Sequence, residues 1–216
     1  DCLLSRGLGD VYKRQMHCDR EGILVWQDLP SPNLPSGYED YAKKNFEDES
    51  KRIITAFRNH PSIIQWVVFN EGWGQFDTER MTQIVISEVG QSLVCCASGW
   101  VDAPIGDIKD SHSYPNPSCP LDETRAGVCG EYGGITLKVQ GHIWPGGDFQ
   151  YTTVETGKDF TVLFNNLADK VIDHYYYGLN AAVYTQLSDV EIEKNGIYTY
   201  DRRVLKPYSA TGELKT

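Results

Sequence analysis

Ile63-Ile64-Gln65-Trp66-Val67-Val68-Phe69-Asn70-Glu71-Gly72-Trp73 is a β-branched and aromatic run that Asn-Glu-Gly stops abruptly. A run of that composition reads as a buried strand, and the stop leaves a carboxylate, with an amide beside it, at the strand's carboxyl end. Parallel α/β sheets and barrels keep their chemistry at that end. A glutamate capping the next helix would look the same in isolation, so the reading rests on the sequence to either side.

From Met16 onward short apolar runs alternate with polar helical stretches, as βα units do. Residues 22–28 read as a strand closed by Leu29-Pro30-Ser31-Pro32. Residues 38–59 read as a helix with Tyr41, Phe46, Ile53, Ile54 and Phe57 on one stripe. Beyond the Glu71 strand come a helix over 78–90 and strands over 92–98 and 107–114. A strand from Ala126 then stops on Glu131-Tyr132-Gly133-Gly134. A loop with His142 and Trp144, a helix over about 158–177 and a strand over 181–186 complete the series. Six parallel strands with interleaved helices predict an α/β fold, and no interdomain linker, internal repeat or low-complexity segment interrupts them.

At 216 residues the chain can bury one substantial core, and 40% hydrophobic with 23% charged residues is ordinary for a globular protein. No apolar run reaches the roughly 20 residues of a membrane helix. A net charge of −10 would repel phosphates, which speaks against a nucleic-acid partner. Cys2, Cys18, Cys95, Cys96, Cys119 and Cys129 show neither a C-x-x-C pair nor zinc-type spacing. No metal and no cofactor is expected.

The first fifteen residues stand apart. Ser5-Arg6-Gly7-Leu8-Gly9-Asp10-Val11-Tyr12-Lys13-Arg14-Gln15 back-translates, codon by codon, into a transposon-type sequencing adapter. Residues 1–15 are therefore expected to be non-native, and 16–216 to be the domain proper.

Glu71 and Glu131 end two different strands, and in a parallel barrel strand ends open on one face. Glycosidic cleavage requires such a pair, one acid to protonate the leaving oxygen and one carboxylate to meet the oxocarbenium-like carbon. Their neighbours differ, Trp73 beside one and Tyr132 beside the other. Three segments carry a family resemblance: Gly22-Ile-Leu-Val-Trp-Gln-Asp, His60-Pro-Ser-Ile-Ile-Gln-Trp-Val-Val-Phe-Asn-Glu71 and Gly130-Glu131-Tyr-Gly-Gly. They resemble the catalytic barrel of glycoside hydrolase family 2, which holds β-galactosidases, β-glucuronidases and β-mannosidases. Tyr184-Thr-Gln-Leu-Ser-Asp-Val-Glu-Ile-Glu-Lys-Asn-Gly and Tyr200-Asp-Arg extend the likeness.

By position the resemblance implies Glu71 as general acid/base, Glu131 as nucleophile and Asn70 as the amide holding the sugar 2-hydroxyl. Tyr114 is similar to the tyrosine that orients the nucleophile, and His112, Trp100 and Trp144 are expected to line a sugar pocket. Trp26 and Trp66 are expected in the core. Asp189, Glu191 and Glu193 are read as a solvated acidic face rather than rim contacts. The first strand resembles the family's third, so the fold implied is a partial (β/α)8 barrel, about strands 3 to 8. The two missing strands would leave open edges, and the chain alone is expected to be inactive. The leading function is a retaining β-glycosidase acting on terminal sugars, β-galactosidase-like. An endo-acting hydrolase of the same barrel clan and a catalytically dead sugar-binding barrel are the rivals. The implied partner is carbohydrate, with no nucleic acid or membrane, and compartment and oligomeric state stay open.

Overall fold

The computed structural model describes residues 8–30, 37, 39–208 and 214–215. Two compact units divide the chain, Asp1–Asp110 and Ser111–Thr216.

The first unit runs through α1 (Leu8–Glu21), β1 (Val25–Asp28), α2 (Glu39–Phe57), β2 (Ile63–Asn70), α3 (Thr78–Val89) and β3 (Leu93–Ser98). It ends within β4 (Ile108–Ser113). The strands stand in the order β1-β2-β3-β4 and pair in parallel, Gln27 opposite Trp66, Val67 opposite Cys95, Cys95 opposite Ile108. Adjacent parallel strands need a crossover, which α2 and α3 supply for β1–β2 and β2–β3. On α2, Phe46, Ser50, Ile54 and Phe57 recur at helical spacing and are the buried face. Phe46 stacks on Phe69 of β2 with centroids 5.4 Å apart, and Phe76 closes the trio edge-on at 5.9 and 5.6 Å. Trp66, Val68, Met81 and Val85 fill the same core. Trp66 is fully buried as expected, whereas Trp26 is only partly so.

The strand expected over 22–28 begins at Val25, because Ile23 and Leu24 lie exposed. Ahead of it, α1 passes unbroken through Met16. Arg14 and Gln15 donate to Gln27 Oε1 at 2.5 and 3.2 Å. Asp19 accepts from the Ser62 amide at 3.0 Å and sits 2.6 Å from His60 Nδ1. The His60-Pro61-Ser62 turn that feeds β2 is thereby held from α1.

The second unit holds the end of β4, β5 (Ala126–Gly133), β6 (Ile135–Thr136), β7 (Thr152–Thr153), α4 (Gly157–Tyr176), β8 (Ala181–Thr185), β9 (Leu205–Tyr208) and β10 (Leu214–Lys215). β5 and β8 pair in parallel, β6 and β7 in parallel, and β9 and β10 antiparallel. The four two- and four-residue strands were not legible beforehand. Thr156 caps α4 by accepting from the Asp159 amide at 3.1 Å, while its hydroxyl donates to the Asp159 carboxylate at 2.6 Å. Phe160 and Leu167 of α4 pack with Cys129, Tyr132, Ile135 and Leu137. The mixed α/β expectation holds, with parallel pairing throughout both main strand sets. Among the described residues no helix is long and apolar enough to cross a membrane.

Cys95 and Cys96 are both buried free thiols, and burial pushes the Cys95 thiol well up. The acidic segment after β8 corrects the sequence reading. Asp189 is buried, not part of a solvated face: its Oδ1 accepts from Lys206 Nζ at 2.6 Å and from the Gly196 amide at 2.8 Å. Lys206 is itself fully buried and also donates to the Lys194 carbonyl at 2.9 Å. The alternation in Asp189-Val190-Glu191-Ile192-Glu193 misled because the segment doubles back. Val190 and Glu193 exchange backbone hydrogen bonds at 3.0 and 2.9 Å, leaving Glu191 exposed at φ 51°.

Removing one member of a buried ion pair strands the other. Lys206→Met should lower unfolding stability by about 3 kcal/mol, read from urea denaturation. Asp189→Leu combined with Lys206→Met should recover most of that loss. Equal stability of the wild type and Lys206→Met would show that the pair contributes nothing.

Candidate active site

In the first unit β2 ends on Asn70, and Glu71 follows in the left-handed region at φ 52°, with Gly72 and Gly74 also at positive φ. A non-glycine residue there is held only where its surroundings over-determine it, and such positions cluster at functional sites. The surroundings are visible. The Glu71 amide donates to the Ser98 carbonyl at 2.8 Å, and the Trp73 amide donates to the Asn70 carbonyl at 3.0 Å. Gly72 sits at φ 75°, and a Cβ there would come within 2.9 Å of Val101 Cγ2, so any other residue is strained in this turn. Ser98 Oγ donates to Asn70 Oδ1 at 2.7 Å and fixes which way the amide faces. Trp73 Nε1 reaches Glu71 Oε2 at 3.4 Å, and its ring is exposed. Trp100 of this unit is 59% exposed.

In the second unit Glu131 lies on β5 at a bulge. Cys129 faces Ala182 and Tyr132 faces Tyr184, so Gly130 and Glu131 together oppose Val183. Bulges re-aim side chains and are frequent next to active sites. Tyr114 donates its hydroxyl to Glu131 Oε2, and Thr185 Oγ1 lies 3.1 Å from the same phenol oxygen. His112 Nδ1 lies 3.5 Å from Glu131 Oε2, its side chain 2% exposed against 32% for Glu131. Burial raises the Tyr114 phenol far above its ordinary value, and the charge of Glu131 and the bond to it add to that. The hydrogen bond with Thr185 pulls the other way. The phenol stays protonated and remains a donor at any ordinary pH.

Two glycines make this packing possible. The Gly133 amide donates to the Pro115 carbonyl at 3.0 Å and the Gly134 amide to the Thr185 carbonyl at 2.9 Å. A Cβ on Gly133 would lie 2.3 Å from Tyr184, and one on Gly134 2.6 Å from Tyr151 and 3.0 Å from Tyr114. Tyr151 stacks on Tyr114 with centroids 3.8 Å apart and planes at 6°. The residue pattern assigns no site role to Tyr151 or Thr185; the Gly133-Gly134 doublet was the available signal of a close approach.

The loop beyond β6 carries Trp144, 44% exposed and edge-on to Tyr200 at 5.4 Å. Beside it His142 Nδ1 sits 2.7 Å from Asp201 Oδ2, and Thr199 Oγ1 donates to Asp201 Oδ1 at 2.6 Å. Of the residues expected to act, then, the first unit joins Asn70 to the Glu71 turn and the second gathers His112 and Tyr114 on Glu131. Trp100 and Trp144 are exposed. Each unit thus carries a carboxylate in irregular backbone, one just past a strand's end beside an amide and an indole, one on a strand bulge under a phenol donor. Such carboxylates can hold or give a proton, or meet a positive carbon.

No family model matches the chain. Over 71 residues, 33% of the chain but 8% of the relative, it is 38% identical to a putative β-glucuronidase of Formosa agariphila. Among solved structures it is similar to a β-glucuronidase of Ruminococcus gnavus in complex with uronic deoxynojirimycin (TM-score 0.66, 15% identity, 93% of this chain and 40% of that one). It is similar also to the Faecalibacterium prausnitzii β-glucuronidase (0.64, 17%, 89% and 39%). A GH2 β-galacturonidase from Eisenbergiella tayi bound to glycerol gives 0.62, 16%, 88% and 39%. The chain spans about 40% of the length of these solved structures. Its fold is GH2-like.

Asp201 is held down to about 2, first by the Thr199 hydroxyl and then by His142 and the Arg203 amide. A depressed folded-state value means that its stabilisation is complete above the ordinary 3.8 and is lost as pH falls towards 2. Denaturation midpoints followed across that window should fall less steeply in Asp201→Asn than in the wild type. Parallel slopes would show that Asp201 is not a source of the acid sensitivity.

Proposed function

We propose that this chain carries the acid/base and nucleophile of a retaining β-glycosidase acting on non-reducing terminal sugars. The single observation that carries the reading is the Tyr114 hydroxyl donated to Glu131 on a bulged strand, a carboxylate held in one orientation. Glu131 attacks the anomeric carbon as the bond to the leaving oxygen breaks, and Glu71 gives that oxygen its proton. Water then attacks the glycosyl ester, Glu71 takes the water's proton, and the carboxylate of Glu131 leaves. Asn70, with its amide fixed by Ser98, meets the sugar 2-hydroxyl, a contact that strengthens in the transition state. His112, Trp100 and Trp144 contribute polar and aromatic contacts to the sugar. The strands correspond to about the third to eighth of a (β/α)8 barrel, with residues 1–15 of non-native origin ahead of it.

The sugar is narrowed in two directions. The family resemblance is read as β-galactosidase-like, with no motif choosing the sugar, whereas the relatives are named for glucuronides and galacturonides. The uronide reading is the second one the comparisons favour. Aryl β-galactoside, β-glucuronide, β-galacturonide and β-mannoside assayed side by side separate them.

In a protein extended upstream to a complete barrel, Glu131→Ala should abolish turnover, because no glycosyl ester can form. Glu71→Ala should slow substrates with poor leaving groups by about 100-fold or more and spare activated aryl glycosides, which depart without a proton. Equal loss on both substrate types would remove Glu71 from the acid role, and turnover surviving in Glu131→Ala would remove Glu131 from the nucleophile role.

A further inference from the structure

Glu131 has a positioning apparatus that reaches past Tyr114. A phenol has one proton, and Glu131 as a carboxylate can only accept. With that proton committed to Glu131, the 3.1 Å contact between Tyr114 and Thr185 requires Thr185 Oγ1–H to be the donor. The bonds then run in one direction, Thr185 to Tyr114 to Glu131, and each donor is strengthened by the one behind it. The ring is held as well as the oxygen. Tyr151 lies on the Tyr114 ring at 3.8 Å and 6°, and Phe149 meets Tyr151 edge-on at 5.0 Å. The Phe149 amide is anchored to the Ile192 carbonyl at 3.1 Å, so the stack rests on fixed backbone. Gly134 donates to the Thr185 carbonyl and has no side chain to intrude between the two rings, so one residue serves both supports.

We propose that Thr185 and Tyr151 are positioning residues for the nucleophile, Thr185 by donating to the Tyr114 phenol oxygen and Tyr151 by clamping its ring. The inference rests on the reading of Glu131 as nucleophile for its consequence, but its geometry stands apart from that reading. A hydroxyl at 185 and an aromatic face at 151 are what the device needs; the Tyr151 hydroxyl and the Thr185 methyl are not.

The test compares the protein extended upstream to a complete barrel with its Thr185→Val, Thr185→Ser, Tyr151→Leu and Tyr151→Phe variants. Each is crystallised and then exposed to 2-deoxy-2-fluoroglycosyl fluorides of the galacto and glucurono series, with labelling of Glu131 followed by peptide mass. Thr185→Val and Tyr151→Leu should release Tyr114 from Glu131 and slow labelling about tenfold at saturating reagent, with half-saturation unchanged. Thr185→Ser and Tyr151→Phe should keep both the contact and the rate. Tyr114 still seated on Glu131 in Thr185→Val and Tyr151→Leu overturns the inference, as does failure of the conservative pair to rescue. Absence of label on the wild-type Glu131 counts against the glycosidase reading alone, and the Tyr114 to Glu131 distance in the crystals still decides the positioning.

Discussion

Phe69 is completely buried against Phe46 and Phe76, and Glu71 comes only two residues later. That proximity is the constraint on which the first unit's chemistry depends. A side chain in the left-handed region would relax to a commoner backbone if the strand before it could shift, and the aromatic trio prevents the shift. The parallel register with β3 adds to it, since Phe69 faces Ala97 and Asn70 faces Ser98, the residue that accepts from the Glu71 amide. Core packing and site geometry are one problem here: the hydrophobic anchor supplies the rigidity that the strained turn consumes.

The second unit solves the same problem with different means. Glu131 is aimed by an extra residue in the strand and not by the strand's end, and the strand continues to Gly133. Tyr132 and Cys129, on either side of the bulge, belong to the core that α4 closes. The carboxylate is then steadied by polar contacts, from Tyr114 and His112, that hold its oxygens more than its backbone. A strained turn fixes where a side chain starts, whereas hydrogen bonds fix where it finishes. Under the proposed roles, a proton donor that must swing between leaving group and water suits the first device, and a nucleophile that must meet one carbon suits the second.

The strand–helix alternation was legible because buried parallel strands are written as continuous apolar runs and the covering helices as stripes, two patterns that local composition reveals. Glu71 and Glu131 stood out because each breaks such a run with a charge. The roles of Tyr151 and Thr185 were invisible for a physical reason: they lie in contacts across 37 and 71 positions of chain from Tyr114 (151 − 114 and 185 − 114). Asp189 failed differently. Its neighbours Glu191 and Glu193 suggested a solvated face, and the partner that draws it inside, Lys206, lies beyond a reversal that the alternation concealed.

The Asp189–Lys206 pair has a consequence for how this protein can vary. Each charge is tolerable in the interior only while the other is present, so a substitution at either position alone passes through a chain with a lone buried ion. The two positions are locked in sequence space. Descendants should keep both, or lose both together, and a lineage in which one is neutral should show an uncharged residue at the other.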